Sequence, residues 1–106
     1  MAINYKNYLT TGINNASTTV YNPTTAGIQA TVISMIVANN TANSVTTNVT
    51  LNSGATTANI VYGATIPVGT SLNVISSDRL IVEQNVVLAV SASGSVDVVV
   101  STIEVT

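Results

Sequence analysis

Residues 45–52 read VTTNVTLN, and their strict alternation decides the fold. Successive side chains of an extended chain point to opposite faces. Val45, Thr47, Val49 and Leu51 therefore share one face, and Thr46, Asn48, Thr50 and Asn52 the other. This is the pattern of a strand with one dry side and one wet side. The rest of the chain is built from the same material: Val, Ile and Thr make up 44 of 106 residues. Their β-branched side chains favour the pleated sheet over the helix.

Working outward, further strands are expected at Thr18 to Asn22, Ile28 to Asn39, Ala58 to Tyr62, Ser71 to Ile75, Leu80 to Glu83, Val86 to Ala92 and Ser95 to Val105. Turn-forming residues separate them: NNTANS after Ala38, NSGATT after Leu51, IPVGT around Pro67 and SASGS around Gly94. Short strands at this spacing predict one all-β domain over residues 18–106, an antiparallel β-sandwich or jelly-roll-like barrel. The first 17 residues lack a sustained period. They read as an N-terminal arm, either a flexible terminus or a segment ordered against a neighbour, with Tyr5, Tyr8 and Leu9 as its sticky residues.

Two strands carry irregular patterns. Ile28 to Asn39 is apolar on both faces, with Ile28, Ala30, Val32 and Ile36 opposed by Ile33, Met35 and Val37, so a central position or a contact with another subunit is expected. In the last strand Val96, Val98 and Val100 set one phase, and Ile103 and Val105 the other. A β-bulge near Ser101–Thr102 would reconcile them, and would turn both Asp97 and Glu104 outward as surface charges.

Composition excludes several classes of function. Only 6% of residues are charged, against roughly 25% in an ordinary domain. Polarity comes instead from Thr, Asn and Ser, which together supply 41 residues. A net charge of −2 with one lysine and one arginine offers no basic patch for nucleic acid and no polybasic membrane anchor. The absence of Cys and His removes disulfides, thiolate and imidazole metal ligands, and the nucleophile–base pairs that need either residue. No phosphate-loop glycine spacing occurs. No apolar run nears the 18 or so residues of a membrane span, and no hydrophobic signal region follows Lys6, so an untargeted soluble chain is expected. No catalytic residue, metal, cofactor or small-molecule substrate is therefore assigned. Three glycosylation sequons, at Asn15, Asn39 and Asn48, are attributed to the abundance of Asn, Ser and Thr.

Half of the six charges lie close together in SSDRLIVEQN, residues 76–85. Strand geometry puts Arg79, Ile81 and Glu83 on one face and Leu80 with Val82 on the other. Arg79 and Glu83 are then about 13 Å apart, too far for an ion pair. Asp78 and Glu83 point to opposite faces, so no two-carboxylate acid–base pair can be drawn from this segment. The segment reads as a polar strand edge whose charges set register at a contact. The residues expected at an interface are Tyr5, Tyr8, Leu9, Ile33, Met35, Val37, Tyr62, Arg79 and Glu83.

From Thr18 onward the pieces TTVYNP, ATVISMIVANNTANSVTTNVTL, VYGATIPVGTSLNVI, DRLIVEQNVVLAVSAS and SVDVVVSTIEVT resemble, in order, a family of small β-rich virion proteins of tailed bacteriophages. The resemblance covers about five-sixths of the chain, and the opening NYKNYLTTGI is similar to the family's N-terminal segment. Gln84–Asn85 departs from the family pattern, where an acidic or glycine-containing turn is common. The resemblance implies a non-enzymatic structural protein of the virion, assembled in the host cytoplasm. Its leading form is a capsid decoration or cement protein that forms homo-oligomers and contacts the major capsid protein or other virion proteins. A neck, tail, baseplate or fibre component is the alternative. A carbohydrate-binding module is more remote, since it calls for exposed aromatic platforms and the chain has no Trp or Phe, which leaves tyrosines such as Tyr62 for that role.

Overall fold

The computed structural model describes residues 2–76 and 78–106. Among the described residues nine strands form two antiparallel sheets packed as a sandwich: β1 Ile3–Ile13, β2 Thr18–Tyr21, β3 Gln29–Asn39, β4 Val45–Ser53, β5 Thr56–Ile66, β6 Ser71–Ile75, β7 Leu80–Glu83, β8 Val87–Ala92 and β9 Val96–Val105. The first sheet runs β1-β9-β3, with β6 and β7 both pairing along the far side of β3. The second runs β2-β8-β4-β5. The VTTNVTLN strand behaves as its alternation demands: Val45, Thr47 and Val49 are buried and Thr46 is exposed.

The turns follow their residue chemistry. Gly54 has φ 64° at the first position of the two-residue β4–β5 hairpin, where the backbone must turn left-handed. Between β5 and β6, the Thr70 N–H donates to Pro67 O at 3.2 Å with Gly69 at φ 71°, as in a type II turn. Asn85 is the one non-glycine residue with positive φ among those described, at 66°, and the Val86 N–H closes the turn onto Glu83 O at 3.0 Å. Asparagine tolerates the left-handed conformation, so Gln84–Asn85 makes the turn without glycine. At the β3–β4 turn, buried Asn39 uses its whole amide: Nδ2 donates to Asn43 O and Ile66 O, and Oδ1 accepts from the Thr41 N–H and hydroxyl. This sequon asparagine is a structural clasp.

Three expectations are corrected. Residues 3–13 are not a separate arm: they form the edge strand β1, paired with β9 from Ile3↔Val105 to Ile13↔Val96. The bulge lies in β3 rather than at Ser101–Thr102. Val32 pairs with Thr102 and Ser34 with Ser101, leaving Ile33 as the extra residue. That insertion rephases β3, so Ala30, Val32, Met35 and Val37 all face the core, while Ile33 and Ile36 take the outer side, half-buried. Met35 and Val37, expected at an interface, are fully buried. Third, β9 keeps a single phase throughout: Val96, Val98, Val100, Thr102 and Glu104 are all buried. Glu104 therefore points inward, and Asp97 remains on the outer phase.

The core fills from both inner faces, with Val32, Met35, Val98 and Val100 of the first sheet and Val49, Ile66, Leu88 and Val90 of the second among its most buried members. Gly94, before β9, touches this core closely: a Cβ there would lie 2.7 Å from Val45 Cγ1. Val45 is β-branched and buried, so it has little freedom to yield. Gly94→Ala should lower stability by about 1–3 kcal/mol, the usual cost of overpacking, with a matching fall in the urea midpoint and an unchanged m value.

Candidate functional site: an apolar sheet face and a buried carboxylate

Alternation within the first sheet aligns its outward residues into cross-strand rows. Register places Tyr5, Ile103, Thr31 and Ile81 side by side across β1, β9, β3 and β7. Ile3, Val105, Gln29 and Glu83 form the adjoining row, and Leu9, Val99 and Ile36 another. Among the described residues, five of the seven large apolar side chains that are exposed lie on this face: Ile3, Tyr5, Leu9, Ile81 and Val99. Tyr5 is 75% exposed, Leu9 67% and Ile81 69%. Scattered surface apolar residues need no explanation, whereas aligned ones make this face the candidate interaction surface.

The expected interface residues separate into distinct groups. Tyr5 and Leu9 stand exposed on the face just described. Ile33 lies at its bulge and, with Tyr5, Asn7 and Ser101, lines a shallow depression of about 460 Å³. Glu83 closes β7, and Arg79 sits immediately before that strand; both are exposed. The alternation expected within β7 holds, with Ile81 exposed and Val82 buried. Tyr62 is 80% exposed but belongs to β5 of the opposite sheet, away from these rows. Tyr8 is not on the outer face at all. It turns inward, because β1 alternates and Tyr8 pairs with buried Val100.

Tyr8 leads to a cluster that sequence reasoning missed. The Tyr8 hydroxyl donates to Glu104 Oε2 at 2.5 Å, and the Tyr21 hydroxyl donates to the same oxygen at 2.6 Å. The two rings lie with centroids 4.8 Å apart, tilted by 43°. Glu104 is 7% exposed. A carboxylate this buried is costly unless its oxygens accept hydrogen bonds, and two phenols supply them at short, charge-assisted distances. Burial, followed by the hydrogen bond and charge of Glu104, pushes the Tyr8 phenol up from 10 to about 12, and the same causes raise Tyr21 further still. Both groups are thus held as protonated donors. The signal was present in the sequence as the unbroken series Val96, Val98, Val100, Thr102, Glu104, but Ile103 and Val105 offered a competing apolar phase.

Around this cluster lies a cavity of about 340 Å³, lined by Tyr8, Tyr21 and Glu104 together with the β2–β3 connection from Asn22 to Thr25. Among the described residues no three carboxylate, histidine or cysteine side chains converge to hold a metal ion. No family model, no curated protein and no solved structure matches the chain.

Tyr8→Phe deletes one of the two donors to a buried charge, and should cost about 1.5–3 kcal/mol at neutral pH. The pH dependence follows from the raised phenol. Between pH 10 and about 12 the folded state holds the Tyr8 proton and the unfolded state releases it, so stability declines as pH rises through this window. Denaturant titrations across it should show a shallower decline in Tyr8→Phe than in the parent, and the absorbance titration should lose the component near pH 12.

Proposed function

We propose that this protein is a non-enzymatic structural component of a tailed-phage virion, a decoration or cement protein that binds the head in many copies. The observation that carries the assembly reading is the outer face of the first sheet, where Ile3, Tyr5, Leu9, Val99 and Ile81 present aligned apolar surface. The resemblance of the chain from Thr18 onward to small phage structural proteins supplies the virion setting.

Mechanically, three strands of some ten residues, with the short β6 and β7 sharing the fourth position along β3, stand about 4.8 Å apart and at about 3.3 Å per residue offer a face of roughly 600 Å². One such contact falls somewhat below the ~800 Å² per partner of a standard stable interface, so repetition over a lattice adds the necessary avidity. The partners are the major capsid protein or its neighbours in the shell, together with other copies of this chain. A surface of hydroxyls and amides with net charge −2 provides little self-repulsion, which suits dense packing of identical copies.

Quantitative mass spectrometry of purified particles tests this reading. Hundreds of copies per particle are expected. A small multiple of three or six would move the protein to the tail axis, and its absence from particles would overturn the virion assignment. Leu9→Arg and Ile81→Arg replace exposed side chains, so the fold should survive with a melting temperature within a few degrees of the parent, while occupancy on particles is lost.

A further inference from the structure

We propose that the cavity beside Glu104 is a binding site for a guanidinium group carried on the side chain of another protein chain. The inference goes beyond the virion reading and stands without it. It begins with the way the carboxylate is used. Both phenols converge on Oε2, and no described residue bonds Oε1. No side-chain polar atom that is fully buried lacks a partner among the described residues, so Oε1 is reached from the cavity that Glu104 lines. One oxygen is spent on holding the carboxylate in place, and the other is presented.

Among the described residues no cationic side chain lines this site. The chain has two cationic side chains. Arg79 precedes β7, at the far edge of the first sheet from β1. Lys6 shares a face of β1 with Tyr8, but it is exposed and lines the depression beside Ile33 and Ser101 rather than this cavity. A buried carboxylate without a cation favours one from outside, since the attraction is strongest where water is excluded.

The shape and lining select the kind of cation. At about 340 Å³ the cavity exceeds the needs of a bare ion and falls in the range of small organic groups. No second carboxylate is present to complete a divalent-metal shell among the described residues. The paired Tyr8 and Tyr21 rings offer aromatic surface against which a planar guanidinium packs well. Thr19, Asn22 and Thr24 at the cavity wall supply oxygens for its remaining N–H donors. A guanidinium on an alkyl stem enters such a cleft from the surface, as an arginine of a docked chain would.

The test is an NMR titration of the intact protein with a blocked Gly-Arg-Gly peptide, its citrulline counterpart and butylguanidinium. Saturable shifts at Tyr8, Tyr21 and Thr24 are expected with the arginine peptide, and weaker binding of butylguanidinium. Glu104→Gln should raise the peptide dissociation constant at least about tenfold, the scale of losing one partner of a buried charge pair. Thr24→Trp, at an exposed wall position, plugs the cavity without touching the core and should abolish binding while the fold persists, which keeps the test decisive if Glu104→Gln fails to fold. Equal binding of the citrulline peptide, retained binding in Thr24→Trp, or no saturable shift would overturn the site. Equal affinity for butylguanidinium and the peptide would overturn the protein-chain source.

Discussion

A carboxylate buried at the end of β9 is the constraint around which one end of this sandwich is arranged. Glu104 belongs to the first sheet, Tyr8 reaches it from β1 in the same sheet, and Tyr21 reaches it from β2 in the second. The shared oxygen ties the two layers together. It also sets the phase of β1: with Tyr8 turned inward, alternation leaves Ile3, Tyr5 and Leu9 no choice but the outer face. One buried polar contact and the exposed apolar rows are therefore two consequences of a single register.

That register joins the ends of the chain. β1 and β9 pair along almost their full length, and outside the ladder the Ala2 N–H donates to Thr106 O at 2.8 Å while the Thr106 N–H donates to Ala2 O at 2.9 Å. β9 is thereby held between β1 and β3 and has no free edge in the first sheet. The cost is an 11-residue outer strand with a single charged side chain, Lys6, to discourage pairing with another chain. Natural sheets usually protect such edges with charge, proline or cover, and the packing among copies proposed above would supply that cover.

Much of the fold could be read from the residues themselves. Seven of the eight strands expected between Thr18 and Val105 begin and end within a residue or so of their expected bounds, because period-two alternation and Gly, Asn and Pro turns are local properties. β5 ran longer than expected, since Gly63 at φ 68° makes an irregular step within it without ending it. The candidate site was less legible. Apolar Ile103 and Val105 point to a bulge in β9, yet the extra residue is Ile33, because only the register of the β3–β9 pair shows which of the two strands carries the insertion.

Residue types and their spacing set the material: β-branched strands, hydrogen-bonding turns, few charges, and no imidazole or thiol for chemistry. These follow from residue type and near-neighbour spacing, which act over a few bonds. Strand pairing settled which face of the irregular strands β3 and β9 would be core and which surface. Met35 and Val37 went inside while Ile33 and Ile36 took the outer side, because the bulge at Ile33 rephased β3 against β9. Glu104, by sequence a surface charge, became a buried acceptor because two tyrosines, 96 and 83 residues away along the chain, brought their hydroxyls to it. A side chain's face is a property of the pairing, and pairing is made at a distance.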